Sequence, residues 1–427
     1  MIHPEWSYSA VLYEMNVRQL TPEGTLSAAA EKLQFLKNIG ITAIWLMPIY
    51  PIGEEARKGS LGSYYSIRDY CAVSDELGGM EQFEKFLQEA KKLGLRVILD
   101  WVANHTARDA RWVSEQSEDW YERDVDGSPL VPWDWSDTAK LNYDNPAVWQ
   151  AQVDSMKFWI DKGVDGFRCD MAMLVPIEFW QKVRRELIEV KPDIFMLAEA
   201  EGVEFFNSAF DCVYSWELHH LMCDVAAGRA RANALRDYLY YQKESYPRSS
   251  MKMTFTSNHD ENSWQGSHLA RFGDSYAVMN VFAFLAPASM PLIYTGQEVG
   301  YDHSFEFFSR DTIAVDYIEG EDTKLFAALS QLKRELTSLR AAEQGGVWCT
   351  INNNAEDCLM ILVRESAEDR VVAIMNLSPY TIRSQYDVGI YEGAYQDAFT
   401  RGTHYLDRYN DEHLSPWQYR VLIQHKE

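Results

Sequence analysis

Residues 81–105 read EQFEKFLQEAKKLGLRVILDWVANH. Phe83, Phe86, Leu87, Ala90 and Leu93 recur at helical spacing, Gly94 follows as a stop, and Leu95-Arg96-Val97-Ile98-Leu99 is a short apolar run. An amphipathic helix that ends on glycine and passes into a buried strand is one repeating unit of an α/β sheet. The unit returns at residues 26–39, Gly40 and 41–47, and again at 146–161, Gly163 and 164–169. Further strands are expected at 11–17, 194–197, 212–216, 251–256 and 291–294, each separated from the next by a helix-length segment. Eight strands that are continuously apolar rather than alternating imply a parallel sheet covered by helices, and a (β/α)₈ TIM barrel fits the count. A doubly wound open sheet fits the alternation as well, but Asn16-Val17-Arg18-Gln19 stands where its glycine-rich phosphate loop belongs.

Two segments break the rhythm. Residues 101–140, rich in Trp, Asp and Ser, are too long for an ordinary connection after the third strand and are expected to form a small excursion domain. After a helix over 324–340, residues 341–346 read as a linker. Beyond it, runs at 359–363, 371–376 and 419–424 lack helical period, which points to a C-terminal antiparallel β-sandwich over 347–427. The barrel is then assigned to 1–100 and 141–340.

The chain of 427 residues carries 64 Asp and Glu against 40 Lys and Arg, a formal charge of −24. With 47% hydrophobic and 24% charged residues, it has ample material for a core. The acidic balance repels phosphate backbones and anionic lipid, so neither nucleic acid nor a membrane surface is expected as a partner. The first residues show no export signal and no run is long enough to span a membrane. Six widely spaced cysteines without a CxxC pair read as free thiols of a cytoplasmic protein.

In such a barrel the chemistry sits at the C-terminal ends of the strands. The third strand ends in Asp100-Trp101-Val102-Ala103-Asn104-His105, the fourth in Gly166-Phe167-Arg168-Cys169-Asp170, the fifth in Leu197-Ala198-Glu199, and the seventh in Phe255-Thr256-Ser257-Asn258-His259-Asp260. Two carboxylates about 5–5.5 Å apart, one ionised and one protonated, are what retaining glycoside cleavage needs. Arg168, two residues before Asp170 and so on the same face of the strand, keeps that carboxylate ionised. Glu199, crowded by Asp170 and Asp260, is expected to hold a proton and act as the acid. Taken singly, each has a structural alternative: a strand-end Asp or Asn can cap the next helix, and Asp170 can be half of a buried ion pair with Arg168.

Together these four regions resemble the signature regions of the α-amylase family of glycoside hydrolases. Residues 40–48 (GITAIWLMP), Lys140-Leu141-Asn142 and residues 290–298 (MPLIYTGQE) agree with it. The resemblance implies that Asp170 is the nucleophile, Glu199 the general acid/base, and Asp260 the third carboxylate, which holds sugar hydroxyls. It places Arg168, His105 and His259 around the subsite of the cleaved bond and Tyr65 as the tyrosine stacked beneath the sugar, with Tyr64 beside it as the other register. Asp100 is expected to orient its neighbours. Asn104 matches a calcium ligand of the family, so the resemblance admits a bound Ca²⁺, while the bond-breaking step requires no cofactor. Met173 and Leu174 stand where many starch hydrolases carry a lysine and a histidine. The implied activity is cleavage of α-1,4 links in maltodextrins. Alternatives are a glucanotransferase or isomerase of the same family and a non-catalytic scaffold. Of Trp101, Trp112, Trp120, Trp133 and Trp135 in the excursion segment, any could present a stacking platform to glucan.

Overall fold

The computed structural model describes residues 3–314, 317 and 319–426. Its main sheet is a closed parallel barrel. In chain order the strands are β1 (Leu12–Met15), β2 (Ala43–Leu46), β3 (Arg96–Val102), β4 (Gly166–Asp170), β5 (Phe195–Ala198), β6 (Cys212–Tyr214), β7 (Met251–Thr254) and β8 (Ser289–Tyr294). All eight coincide with the apolar runs expected from sequence. Each strand neighbours the next and β8 closes on β1, the order that right-handed crossovers through intervening helices produce. The helix Gly79–Lys92 buries Phe83, Phe86, Leu87 and Ala90, and Gly94 adopts φ +68° to turn the chain into β3, a left-handed conformation that favours glycine.

Register sets the level of the strand ends. Asp100 pairs with Arg168, and Val102 with Asp170, across β3 and β4, while Arg168 pairs with Leu197 and Cys169 with Ala198 across β4 and β5. Since Glu199 directly follows Ala198, its backbone lies level with that of Asp170.

After β3 the chain makes its excursion. His105–Ala107 pairs antiparallel with Thr138–Lys140, and Trp120, Tyr121, Ala139, Leu141 and Val148 form a small core. The excursion begins later than the expected boundary at residue 101. Trp101 and Val102 still belong to β3, and Trp101, fully buried, donates from Nε1 to Gln152 Oε1 at 2.8 Å.

The C-terminal strands form the expected sandwich. A six-stranded antiparallel sheet runs in the order Val347–Thr350, Leu359–Glu365, Asp369–Asn376, Tyr419–His425, Gly393–Asp397, Thr403–Leu406. It encloses one apolar cluster with the pair Ile382–Asp387 and Tyr409–Leu414. Only three of these eight strands stood out in the sequence. Arg383, Ser384 and Gln385, for example, make Ile382–Asp387 too polar to announce itself, although its burial alternates strictly.

By packing, the chain divides into two compact units: residues 1–5, 12–214 and 305–316, and residues 6–11, 215–304 and 317–427. The expected border between barrel and sandwich is therefore not a border in packing. Within the second unit Arg364 of the sandwich donates to the carbonyls of Leu285 and Ala286 at 2.9 Å each. Residues 341–346 are no loose linker either. Ala341 and Ala342 are buried, a Cβ on Gly345 would meet Arg340 O at 2.1 Å, and one on Gly346 would meet Glu365 O at 2.3 Å. The small residues that suggested flexibility are small because backbones approach each other there.

Candidate active site

Arg168 organises the first unit. Its side chain is fully buried and points along the C-terminal end of β4, where the register just described brings acidic groups from β3 and β5 to the same level. Nη1 donates to Asp100 Oδ1 at 2.9 Å and Oδ2 at 3.2 Å and to Asp170 Oδ1 at 3.0 Å. Nη2 ion-pairs with Glu199 Oε2 at 2.8 Å, and Nε donates to Tyr214 OH at 3.0 Å. Burial by itself would lower the Arg168 pKa, but the charges of Asp100 and Glu199 outweigh it and hold the guanidinium protonated, well above its ordinary range.

This corrects one expectation. The sequence assigned the arginine to Asp170, whereas three carboxylates share it. The guanidinium therefore does not by itself set Asp170 apart from Glu199. Glu199 has a further donor beside the shared arginine. Glu199 Oε2 accepts from the Met171 backbone N–H at 2.8 Å, and Met171 reaches it in a left-handed conformation, φ 43° and ψ 44°. A non-glycine residue there costs on the order of 1 kcal/mol, and the strain accompanies an N–H aimed at a carboxylate. Nothing in the residue type announced this, since glycine or asparagine would be the usual sign.

Asp100 is fully buried. Its Oδ2 also accepts from Trp45 Nε1 and Tyr65 OH, both at 3.1 Å, and its carbonyl accepts from Tyr50 OH at 2.9 Å. So many donors fix its orientation and, through it, that of Arg168 and Tyr65. The Tyr65 ring lies parallel to Phe307 with centroids 6.4 Å apart and 5.7 Å from the Arg168 guanidinium carbon. Tyr64 points elsewhere: its hydroxyl donates to Asn16 Oδ1 and Arg18 covers its ring. Of the two registers, the structure brings Tyr65 to the carboxylates.

His105 is buried with Nε2 3.2 Å from Tyr65 O and Nδ1 3.1 Å from Asn104 Nδ2. An amide NH₂ only donates, so Nδ1 accepts and Nε2–H donates, the neutral ring. Burial pushes its pKa down to about 4. In the second unit burial does the same to His268, also to about 4. A histidine that takes a proton near pH 6.5 when unfolded but only near 4 when folded binds more protons in the unfolded chain across that window. Stability therefore falls as pH falls from about 6.5 through about 4. His268 Nε2 is buried without a hydrogen-bond partner among the described residues, so His268→Phe removes the titration at little structural cost. We expect the urea midpoint of that variant to drop less than that of the parent protein between about pH 7 and about pH 4.5.

Beside His105 lies the Trp135 ring, 5.2 Å away, in turn 4.8 Å from Trp133. Trp133 is 63% exposed. Trp101 and Trp120 are core residues and Trp112 packs against the small core, which leaves Trp133 and Trp135 as the open aromatic surface of the excursion.

At the seventh strand end, in the second unit, Asn258 caps the helix His259–Gln265 by accepting from Glu261 N at 2.8 Å. His259 is buried, Asp260 is 38% exposed, and His259 Nε2 stands 3.4 Å from Asp260 Oδ2. Gln297 braces this end internally by donating to Thr256 Oγ1 and Tyr276 OH. Met173, 46% exposed, and Leu174 lie in a short 3₁₀ turn after Asp170. Asn104 is buried, and no cluster of three or more His, Cys, Asp or Glu side chains able to hold a metal occurs among the described residues.

A closed (β/α)₈ barrel with paired carboxylates on one buried guanidinium at its strand ends defines a carboxylate-site barrel protein. The chain belongs to the α-amylase family: the model of the α-amylase catalytic domain matches residues 8–334. It is similar to α-amylase MalA of Haloarcula japonica, 26% identical over 387 residues covering 87% of this chain and 56% of that protein. It is also similar to α-amylase 3 of Dictyoglomus thermophilum, 28% identical over 70% of this chain and 66% of that protein. The chain thus spans between half and two thirds of these curated relatives. Among solved structures, the noncanonic maltogenic α-amylase AmyB from Thermotoga neapolitana superposes with a TM-score of 0.88 at 27% identity, covering 98% of this chain and 99% of that one.

Proposed function

We propose that this protein is a retaining enzyme that cleaves α-1,4-glucosidic bonds of maltodextrins by double displacement, with Asp170 as nucleophile, Glu199 as general acid/base and Asp260 as the third carboxylate. The observation that carries the reading is the bridging guanidinium. Two carboxylates on adjacent nitrogens of one Arg168 support a short separation, the one that suits direct attack rather than an intervening water. Asp170 attacks the anomeric carbon while Glu199 protonates the departing oxygen, leaving a glycosyl ester on Asp170. Glu199, now a carboxylate, then takes a proton from water, which displaces Asp170. Tyr65, held by Asp100, offers an aromatic face to the sugar, and His105, His259 and Asp260 hold its hydroxyls. Trp133 and Trp135 extend the binding surface. No step passes through a metal.

The test is stereochemical. NMR of the first-formed product from an α-linked maltooligosaccharide is expected to show the α-anomer, and the β-anomer would overturn double displacement. The same glycosyl ester can be intercepted by a sugar hydroxyl. Met173 and Leu174 put apolar surface after the nucleophile where a lysine and a histidine would otherwise hold a leaving sugar, which keeps transfer as the second reading. Products longer than maltotriose, formed from maltotriose, would establish it. None of the six cysteines is disulfide-bonded, which supports a reducing cytoplasmic setting. Among the described residues no helix is long and apolar enough to cross a membrane.

A further inference from the structure

The second unit contains a cavity of about 380 Å³. The helices Trp216–Ala226 and Ala232–Ser245, the entries to β7 and β8, and the strands Val347–Thr350 and Leu359–Glu365 contribute its walls. None of the strand-end residues described above lines it. Its volume falls in the range of sites for small organic ligands.

Its charge runs against the rest of the chain. In a protein where acidic residues outnumber basic ones 64 to 40, the cavity is lined by Lys243, Arg248, Lys252 and Arg364 and by no Asp or Glu among the described residues. Lys243 and Arg248 are exposed at the mouth, whereas Lys252 and Arg364 are buried. Arg364 is only 2% exposed, and the hydrogen bonds of its guanidinium go to carbonyls: Leu285 O, Ala286 O and Arg340 O. The acid whose charge acts on it, Asp369, spends its two oxygens on the backbone N–H groups of Thr337 and Ser338. Burial accordingly pulls the Arg364 pKa down to about 10. A buried cation whose direct partners are neutral dipoles is only partly compensated by a carboxylate engaged elsewhere, and an anion would relieve it.

The walls also hold polar atoms without partners. Arg364 Nε, Ser250 Oγ and Gln242 Oε1 are buried without a hydrogen-bond partner, and Ser250 is only 3% exposed. Such orphans are uncommon in native interiors and each costs stability. A donor, a hydroxyl and an acceptor left unpaired in the walls of one cavity suit a ligand that combines an anion with hydroxyl groups. Aromatic faces complete the set: Lys243 Nζ lies 4.8 Å from the Trp348 ring centre, and Lys252 Nζ 3.6 Å from that of Tyr246.

We propose that this cavity is a second ligand site that takes a sugar phosphate, the phosphoryl group held by Arg364, Lys252 and the two cations at the mouth, and the sugar hydroxyls by Ser250 and Gln242. Charge-assisted contacts to the phosphate supply most of the affinity, and hydroxyl contacts distinguish the ester from free phosphate. Binding to the folded chain alone raises its stability with ligand concentration.

The probes are glucose 6-phosphate and glucose 1-phosphate, with inorganic phosphate, glucose and gluconate as controls, measured by titration calorimetry and thermal unfolding on the full chain. At least one ester is expected to bind saturably in or below the millimolar range and to raise the unfolding temperature. Lys243→Ala/Arg248→Ala, both exposed and so compatible with folding, should weaken that binding about tenfold or more. Gln242→Leu should weaken the ester while leaving the weak binding of inorganic phosphate unchanged. Asp170→Asn should bind the ester as the parent does, which separates this cavity from the carboxylate site. Three results would overturn the proposal: no saturable binding of either ester, ester binding indifferent to the double variant, or inorganic phosphate binding as tightly as both esters.

Discussion

Asp170→Asn is expected to leave a folded protein whose turnover of maltooligosaccharide is below about a hundredth of the parent rate, the scale on which loss of a covalent nucleophile is felt. The amide is nearly isosteric and can still accept from Arg168 Nη1, which now stands 3.0 Å from Asp170 Oδ1, but it forms no stable glycosyl ester. Arg168 keeps its pairs with Asp100 and Glu199, so the buried guanidinium is not stranded, and the unfolding midpoint should change little. Steady-state kinetics alongside urea unfolding separate the two effects. Residual activity well above a hundredth would remove Asp170 from the nucleophile's role. Loss of the fold would instead show that the carboxylate's main task is to neutralise Arg168.

Glu199→Gln should discriminate between leaving groups. Glutamine has no proton to give to a departing sugar alcohol, so cleavage of maltooligosaccharide is expected to fall by about two to four orders of magnitude. Fluoride departs with little help, and α-glucosyl fluoride should retain much more of its first step. Water still needs a base in the second step, so the ester accumulates on Asp170 and appears in intact-mass spectrometry as the added glycosyl mass. Azide, which needs no base, should discharge it. The Met171 N–H that meets Glu199 Oε2 at 2.8 Å can also meet a glutamine carbonyl, so the side chain keeps its place. Equal losses on both substrates, with no adduct and no azide rescue, would show that the proton donor lies elsewhere.

Much of this arrangement is legible in the order of the amino acids. Helical spacing in residues 81–93, the glycine stop and the apolar run of 95–99 are local patterns, and local patterns survive in a one-dimensional string because periodicity depends only on neighbours. The same holds for Arg168 and Asp170, which a strand's two-residue repeat places on one face. The polar residues that close each apolar run were readable for the same reason, as was membership of the α-amylase family. The C-terminal strands were read less well. Ile382–Asp387 and Tyr409–Leu414 pair across 21 intervening residues at their near ends, and polar, half-exposed strands acquire their identity from the partner rather than from their own composition.

What the sequence determined by itself, then, is the barrel, its excursion and sandwich, and the roster of strand-end carboxylates, histidines and the arginine. Tertiary structure alone decided that the Arg168 guanidinium is shared among Asp100, Asp170 and Glu199, because that sharing depends on the register of three strands. It also decided that Met171 turns left-handed to present its N–H to Glu199, that residues 341–346 are packed rather than free, and that Lys243, Arg248, Lys252 and Arg364 line one cavity. Contacts between residues tens to more than a hundred positions apart are set by how the sheets close and pair, and that geometry leaves no periodic trace in the order of the amino acids.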